Sequence, residues 1–371
     1  MSCDLWSSAR AAVREILPYQ PGKPIEELER ELGIRNAIKL ASNENPWGPS
    51  PGALAALAQL DPGSWSRYPD GAATELRRAL ATKLGVAIES VTVGNGSNDL
   101  LELAARAFVG PGDTVVYAQH AFAVYALVTQ AVGGRHQEVP AREFGHDLPA
   151  MAQAAADAKL VFVANPNNPT GTCVGADALA AFLERVPAHV PVVLDEAYRE
   201  YVTRKDYPDT LPWLRRFPNL IITRTFSKIY GLAGLRVGYA LSDLRVADLL
   251  NRLRQPFNVN LAAQVAARAA LADDAFVALC QERNRQGLSV LEAGLRRLGY
   301  PVLPSAANFL TFGIRRAAEA YQALLREGVI VRPIANYGMP DYLRVTVGTP
   351  EENERFLAAL AQVRLQLQAT G

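Results

Sequence analysis

Short β-rich, largely apolar runs at 91–93, 114–117, 160–164, 190–194 and 220–223 constrain this chain more than any other feature. Apolar residues that follow one another, instead of alternating with polar ones, mark strands buried on both faces. Between the runs lie segments with apolar residues at three- and four-residue spacing, at 74–84, 99–108 and 176–184, which predict helices. Strands and helices in alternation imply an α/β domain built on a mostly parallel sheet. After residue 255 the pattern changes to a long helical stretch over 261–298, strands near 309–312 and 342–347, and a helix from Pro350, which reads as a second, smaller α+β domain. An amphipathic arm at 5–17 precedes Pro18, Pro21 and Pro24. The expected division is an arm of residues 1–36 that contributes to the small domain, a large α/β domain of 37–255 and a small domain of 256–371.

Composition excludes several classes. Lys and Arg number 38 against 37 Asp and Glu, so there is no global field for nucleic acid or an acidic membrane, and any anion site is local. Cys3, Cys173 and Cys280 are too few and too scattered for a disulfide framework or a zinc cluster, so no metal site is expected. Charged residues interrupt the first sixteen positions, and no uncharged apolar stretch reaches the roughly 18 residues of a membrane span. A soluble, cytoplasmic protein is the expectation.

Four strand ends carry residues suited to chemistry. The run at 220–223 leads into Thr225-Phe226-Ser227-Lys228-Ile229-Tyr230-Gly231-Leu232-Ala233-Gly234-Leu235-Arg236. A lysine amine becomes a covalent catalyst when it bonds an aldehyde cofactor, which supplies the electron sink that side chains lack. Ser227 and Arg236 suit a phosphate beside that aldehyde, and the glycines allow close backbone approach. The run at 190–194 ends in Asp195-Glu196-Ala197-Tyr198. A carboxylate beyond a strand's carboxyl end lies where open α/β sheets bind ligands; there it keeps a pyridine nitrogen protonated, while Tyr198 reaches a ring oxygen. The run at 160–164 enters the turn Asn165-Pro166-Asn167-Asn168-Pro169-Thr170-Gly171, where Asn168 offers an amide to the same oxygen. The run at 91–93 precedes Gly94-Asn95-Gly96-Ser97-Asn98-Asp99, a glycine turn opening a helix; it matches neither the P-loop nor the dinucleotide spacing and suits a single phosphate held by Ser97 and Asn98. Taken singly, each motif also reads as an ordinary turn, cap or acidic helix start.

In conjunction these motifs resemble the fold-type I pyridoxal-phosphate enzymes of the class I and II aminotransferase group, over essentially the whole chain. The resemblance implies a large domain with a mostly parallel sheet of the seven-stranded type, and pyridoxal 5'-phosphate held as a Schiff base by Lys228. It makes Asp195 the partner of the ring nitrogen, Asn168 and Tyr198 the contacts of the phenolic oxygen, and Ser227 and Arg236 phosphate ligands. Phe122 stands where many aminotransferases stack a tyrosine on the ring; stacking survives loss of the hydroxyl. Three residues on, Tyr125 reads as a helix-core residue.

Other segments resemble the histidinol-phosphate aminotransferases: Leu17-Pro18-Tyr19-Gln20-Pro21-Gly22-Lys23-Pro24, Ala41-Ser42-Asn43-Glu44-Asn45-Pro46, Arg67-Tyr68-Pro69-Asp70-Gly71, Val331-Arg332-Pro333 and Leu343-Arg344-Val345-Thr346-Val347-Gly348-Thr349. That resemblance implies transfer of an amino group from histidinol phosphate to 2-oxoglutarate, giving glutamate. Asn43 then joins the substrate site, Arg344 grips the α-carboxylate, Arg332 and Tyr19 hold the substrate phosphate, and Tyr68 reaches the cofactor phosphate of a neighbouring subunit in a homodimer. An aromatic amino-acid aminotransferase and a phosphothreonine decarboxylase share most of these motifs. From another class, a regulator could keep the cofactor without catalysis.

Overall fold

A computed structural model describes residues 4–369 of the 371; Cys3 lies outside them. The strands are β1 (Ile38–Lys39), β2 (Val91–Gly94), β3 (Thr114–Ala118), β4 (Arg135–Val139), β5 (Leu160–Ala164), β6 (Val192–Asp195), β7 (Leu220–Thr225), β8 (Gly238–Leu241), β9 (Phe309–Gly313), β10 (Val329–Ile330), β11 (Arg332–Pro333) and β12 (Tyr342–Thr346). Seven of them form one sheet in the order β2-β8-β7-β6-β5-β3-β4. Only β8 runs against its neighbours; the pairs from β7 across to β4 are parallel. The expected mostly parallel seven-stranded sheet is therefore present. Its carboxyl-terminal edge collects the ends of β2, β3, β5, β6 and β7.

Every residue of β2, β5, β6 and β7 is buried, β5 as an unbroken apolar run and the others with Thr92, Asp195, Thr223, Arg224 and Thr225 buried among apolar neighbours. Phe162, Leu194 and Ile222 sit at the centre of this core, and Ile222→Ala would cost about 2–5 kcal/mol. β4 forms the outer edge, where exposed Arg135, His136, Gln137 and Glu138 discourage pairing with another chain. A second core, around Leu291, Phe312, Leu343 and Phe356, lies under the antiparallel sheet β11-β12-β9. β1 pairs with β10, so the chain before the large sheet is tied to the chain after it.

Boundaries moved where backbone chemistry overrides apolar pattern. The strand expected at 190–194 begins at Val192, because Pro191 has no N–H for the ladder. The strand expected at 220–223 runs on to Thr225, drawn out by pairing with β8. The helix expected at 99–108 starts at Ser97, since Gly96 takes a left-handed φ of 84° at its N-cap. The stretch at 261–298 is two helices, Leu261–Leu271 and Asp274–Arg297, the second capped by the Asp273 carboxylate accepting from the Phe276 N–H. The arm at 5–17 holds two four-residue helices, Leu5–Ser8 and Ala11–Arg14, with Leu5, Trp6 and Leu17 largely exposed.

Candidate active site

A cavity of about 210 Å³ opens at the carboxyl edge of the large sheet and is walled on its far side by β11 and β12. Thirteen of the fourteen residues singled out from the sequence line it: Tyr19, Asn43, Ser97, Asn98, Phe122, Asn168, Asp195, Tyr198, Ser227, Lys228, Arg236, Arg332 and Arg344. The exception is Tyr68, which is 82% exposed and stacks on Phe257 with ring centroids 4.5 Å apart.

At one end, the helix Ser97–Phe108 points its N-terminus at the cavity, with Ser97 and Asn98 in its first turn. Its unsatisfied amides and the Arg236 guanidinium make an anion cradle. Arg236 takes a left-handed φ of 58° and donates to Ser227 Oγ at 3.3 Å. A Cβ on Gly96 would stand 2.6 Å from Arg236 Nη2, so only glycine admits the guanidinium there. Gly231 is equally forced, because a Cβ would lie 2.1 Å from the Gly48 carbonyl oxygen. Gly234 faces no such contact.

In the middle, the Lys228 amine donates to the Ser42 carbonyl at 3.1 Å. Burial, then the nearby Arg344 charge, pull its pKa down to about 8, so a useful fraction is neutral and nucleophilic near physiological pH. The Asp195 carboxyl is pushed up to about 6 by burial; hydrogen bonds from the Tyr125 hydroxyl at 3.0 Å and Thr223 Oγ1 at 3.3 Å partly oppose that. Burial also raises the Tyr198 phenol, keeping it protonated, while its oxygen accepts from Asn43 Nδ2 at 2.9 Å.

At the other end, Arg332 and Arg344 are direct cross-strand partners on β11 and β12. Arg344 donates to Asn168 Oδ1 and to the Ala41 carbonyl, while its buried Nε has no partner. Arg332 donates to the Gln20 carbonyl at 2.6 Å and lies over the Tyr19 ring at 5.5 Å. Asn43 is fastened to β12 through Thr346, whose Oγ1 accepts from the Asn43 N–H at 3.0 Å. Three arginines and a lysine thus face one carboxylate, an excess that selects anionic ligands.

These donors match pyridoxal phosphate along its length. Ser97, Asn98, Ser227 and Arg236 suit the phosphate, Asp195 the ring nitrogen, Phe122 a ring face, Asn168 and Tyr198 the phenolic oxygen, and Lys228 the aldehyde. Tyr125 and Thr223 escaped the motif reading. The available signal was spacing: Tyr125 falls one helical turn after Phe122, and Thr223 stands two residues before the cavity-lining Thr225 on β7. Among the described residues no group of three His, Cys, Asp or Glu is placed to hold a metal ion, and no helix is long and apolar enough to cross a membrane.

Residues 35–360 match the family model for aminotransferase class I and II. A histidinol-phosphate aminotransferase 2 of Pseudomonas fluorescens is 57% identical, over 98% of this chain and 99% of its own length. The protein of that name from Pseudomonas aeruginosa is 56% identical, over 97% and 98%. Among solved structures, a histidinol-phosphate aminotransferase from Sinorhizobium meliloti in complex with pyridoxal-5'-phosphate superposes with a TM-score of 0.89 at 29% identity, covering 97% of this chain and 98% of that one.

Proposed function

This chain belongs to the class I and II aminotransferases, and we propose that it transfers the amino group of L-histidinol phosphate to 2-oxoglutarate, giving imidazole-acetol phosphate and L-glutamate in histidine biosynthesis. Its cofactor is pyridoxal 5'-phosphate, which when bound supplies an aldehyde to take up the amine and a ring to receive the electrons of the broken C–H bond. The observation that carries the substrate choice is the pair Arg332 and Arg344, two guanidinium groups side by side on β11 and β12 with no carboxylate partner among the described residues.

Each residue has a task that follows from its surroundings. Lys228, with its lowered pKa, anchors the cofactor and, once freed, takes a proton from the substrate carbon and returns it at the other end of the exchange. Asp195 holds the ring nitrogen in its protonated form. Asn168 keeps its amide nitrogen for the phenolic oxygen, because its own oxygen is occupied by Arg344. Arg344 binds the α-carboxylate of glutamate or 2-oxoglutarate; Arg332 and Tyr19 bind the phosphate of the other substrate. One cavity thus serves the amino donor and then the keto acceptor, which requires ping-pong kinetics.

The same reading includes a cytoplasmic homodimer. Tyr68, exposed and set on the Phe257 ring, is presented to a second copy, where it meets the cofactor phosphate. A division into two domains at residues 36 and 255 belongs to the proposal too; separate apolar cores under the two sheets support two domains, while Val259, Ala263, Ala266, Ala270 and Leu271 pack into the core of the large sheet, past the boundary set at 255. Steady-state rates with histidinol phosphate, phenylalanine and phosphothreonine test the substrate assignment. It fails if histidinol phosphate with 2-oxoglutarate yields no glutamate while another donor turns over well.

A further inference from the structure

Asp195 sits at the buried end of the cavity, and its two oxygens are held differently. Oδ2 accepts the Tyr125 hydroxyl at 3.0 Å, Oδ1 accepts the longer Thr223 bond at 3.3 Å, and the Ala197 backbone N–H adds a weaker contribution. No lysine, arginine or histidine forms an ion pair with it among the described residues. The Tyr125 side chain has no freedom to do anything else. It is fully buried, its ring lies parallel to Phe162 with centroids 4.6 Å apart, and Phe122 meets it edge-on at 5.9 Å. Burial raises the phenol well above its ordinary value, so the hydroxyl carries its proton at any working pH and has it to donate to Asp195 Oδ2.

We infer that Tyr125 is a positioning residue for the reaction: its hydroxyl fixes Asp195 Oδ2 and keeps the carboxylate anionic, so that the proton shared between Asp195 and the cofactor ring stays on the ring nitrogen. This rests on the assignment of the cavity to pyridoxal phosphate. The physical reason is competition for one proton. A carboxylate buried without donors becomes more basic than a pyridine nitrogen and takes the proton itself, leaving two neutral groups and a weaker electron sink. A charge-assisted donor at 3.0 Å lowers carboxylate basicity and prevents that transfer. Phe162 and Phe122 act through Tyr125, one stacked against its ring and the other on the adjoining cavity wall.

The test is Tyr125→Phe in the full-length protein, loaded with cofactor labelled with 15N in the ring. Three results are expected together: the ring-nitrogen signal moves toward the unprotonated position, kcat falls at least tenfold with KM for both substrates little changed, and cofactor dissociates more readily. A nitrogen signal and cofactor affinity equal to the parent's, with only thermal stability reduced, would show a merely structural tyrosine and overturn the inference. Should the phenylalanine variant not fold, replacement of Tyr125 by 3-fluorotyrosine keeps the shape and strengthens the donor. The signal must then move further to the protonated side, and an unmoved signal overturns the inference just as firmly. A parent protein that takes up no pyridoxal phosphate, seen as no visible absorbance band, defeats the site assignment itself and is distinct from either outcome.

Discussion

Asp195 and Glu196 are consecutive, both buried, and lead opposite lives. Glu196 turns away from the cavity: it accepts from Arg224 Nε at 2.8 Å and from Thr210 Oγ1 at 2.8 Å, with Arg199 at 3.5 Å. Arg224 is itself 1% exposed. Asp195 faces the cavity with only neutral donors, the Tyr125 and Thr223 hydroxyls and the Ala197 backbone N–H, and no cation. Lys228, Arg236, Arg332 and Arg344 likewise lack carboxylate partners among the described residues. Charge cancelled inside the protein holds the fold, whereas charge left open at the cavity awaits a ligand.

The contrast can be attacked in order of expected effect. Lys228→Ala lowers multiple-turnover transamination by about 10⁴-fold, measured as glutamate formed, since no other amine lines the cavity. The same isosteric exchange on the two neighbours then separates rate from stability. Asp195→Asn lowers kcat by about 10²–10³-fold with the melting temperature held or raised. Glu196→Gln destabilises by about 3–5 kcal/mol in denaturant titration, because Arg224 is left as a buried unpaired charge, while kcat of the folded fraction stays near the parent's. Equal loss of rate in both variants would break the contrast.

A pH series sharpens it. Lys228 must be neutral to attack the cofactor aldehyde, so its uptake by the apo protein accelerates about tenfold per pH unit below about 8 and levels off above, followed by absorbance. Arg344→Leu removes a charge that depresses this pKa and shifts the break to higher pH. The smallest effects belong to the ring face: Phe122→Ala weakens cofactor affinity by the roughly 0.5–1.5 kcal/mol of an aromatic contact, and Phe122→Tyr changes it by less than about 0.5 kcal/mol, both by equilibrium dialysis.

Legibility followed how local each signal is. The strands β2, β5, β6 and β7 read directly, because burial on both faces fills them mostly with apolar and β-branched residues, without a break in β5. β4, with Arg135, His136, Gln137 and Glu138 at an open edge, and β8, four residues long, carried no such pattern and were not foreseen. Lys228, Asp195, Asn168 and Ser97 were found because each directly follows or closes a strand, where chain order and function coincide. Arg332, Arg344, Tyr19, Asn43 and Tyr68 were reached only through family resemblance, since nothing local says that residues so distant in sequence share a pocket. Tyr125 looks like core and is packed as core; its hydroxyl acquires meaning only when the fold brings it to Asp195 at the end of β6.

The bonds from Asn43 to Thr346 and from Arg344 to Ala41 each span 303 residues. On a ribosome, the sheet with its lysine and phosphate cradle is complete well before β12 leaves the exit tunnel. The nascent protein therefore gains a grip on a phosphate first and the means to choose between amino donors last, so discrimination is the final property synthesis confers.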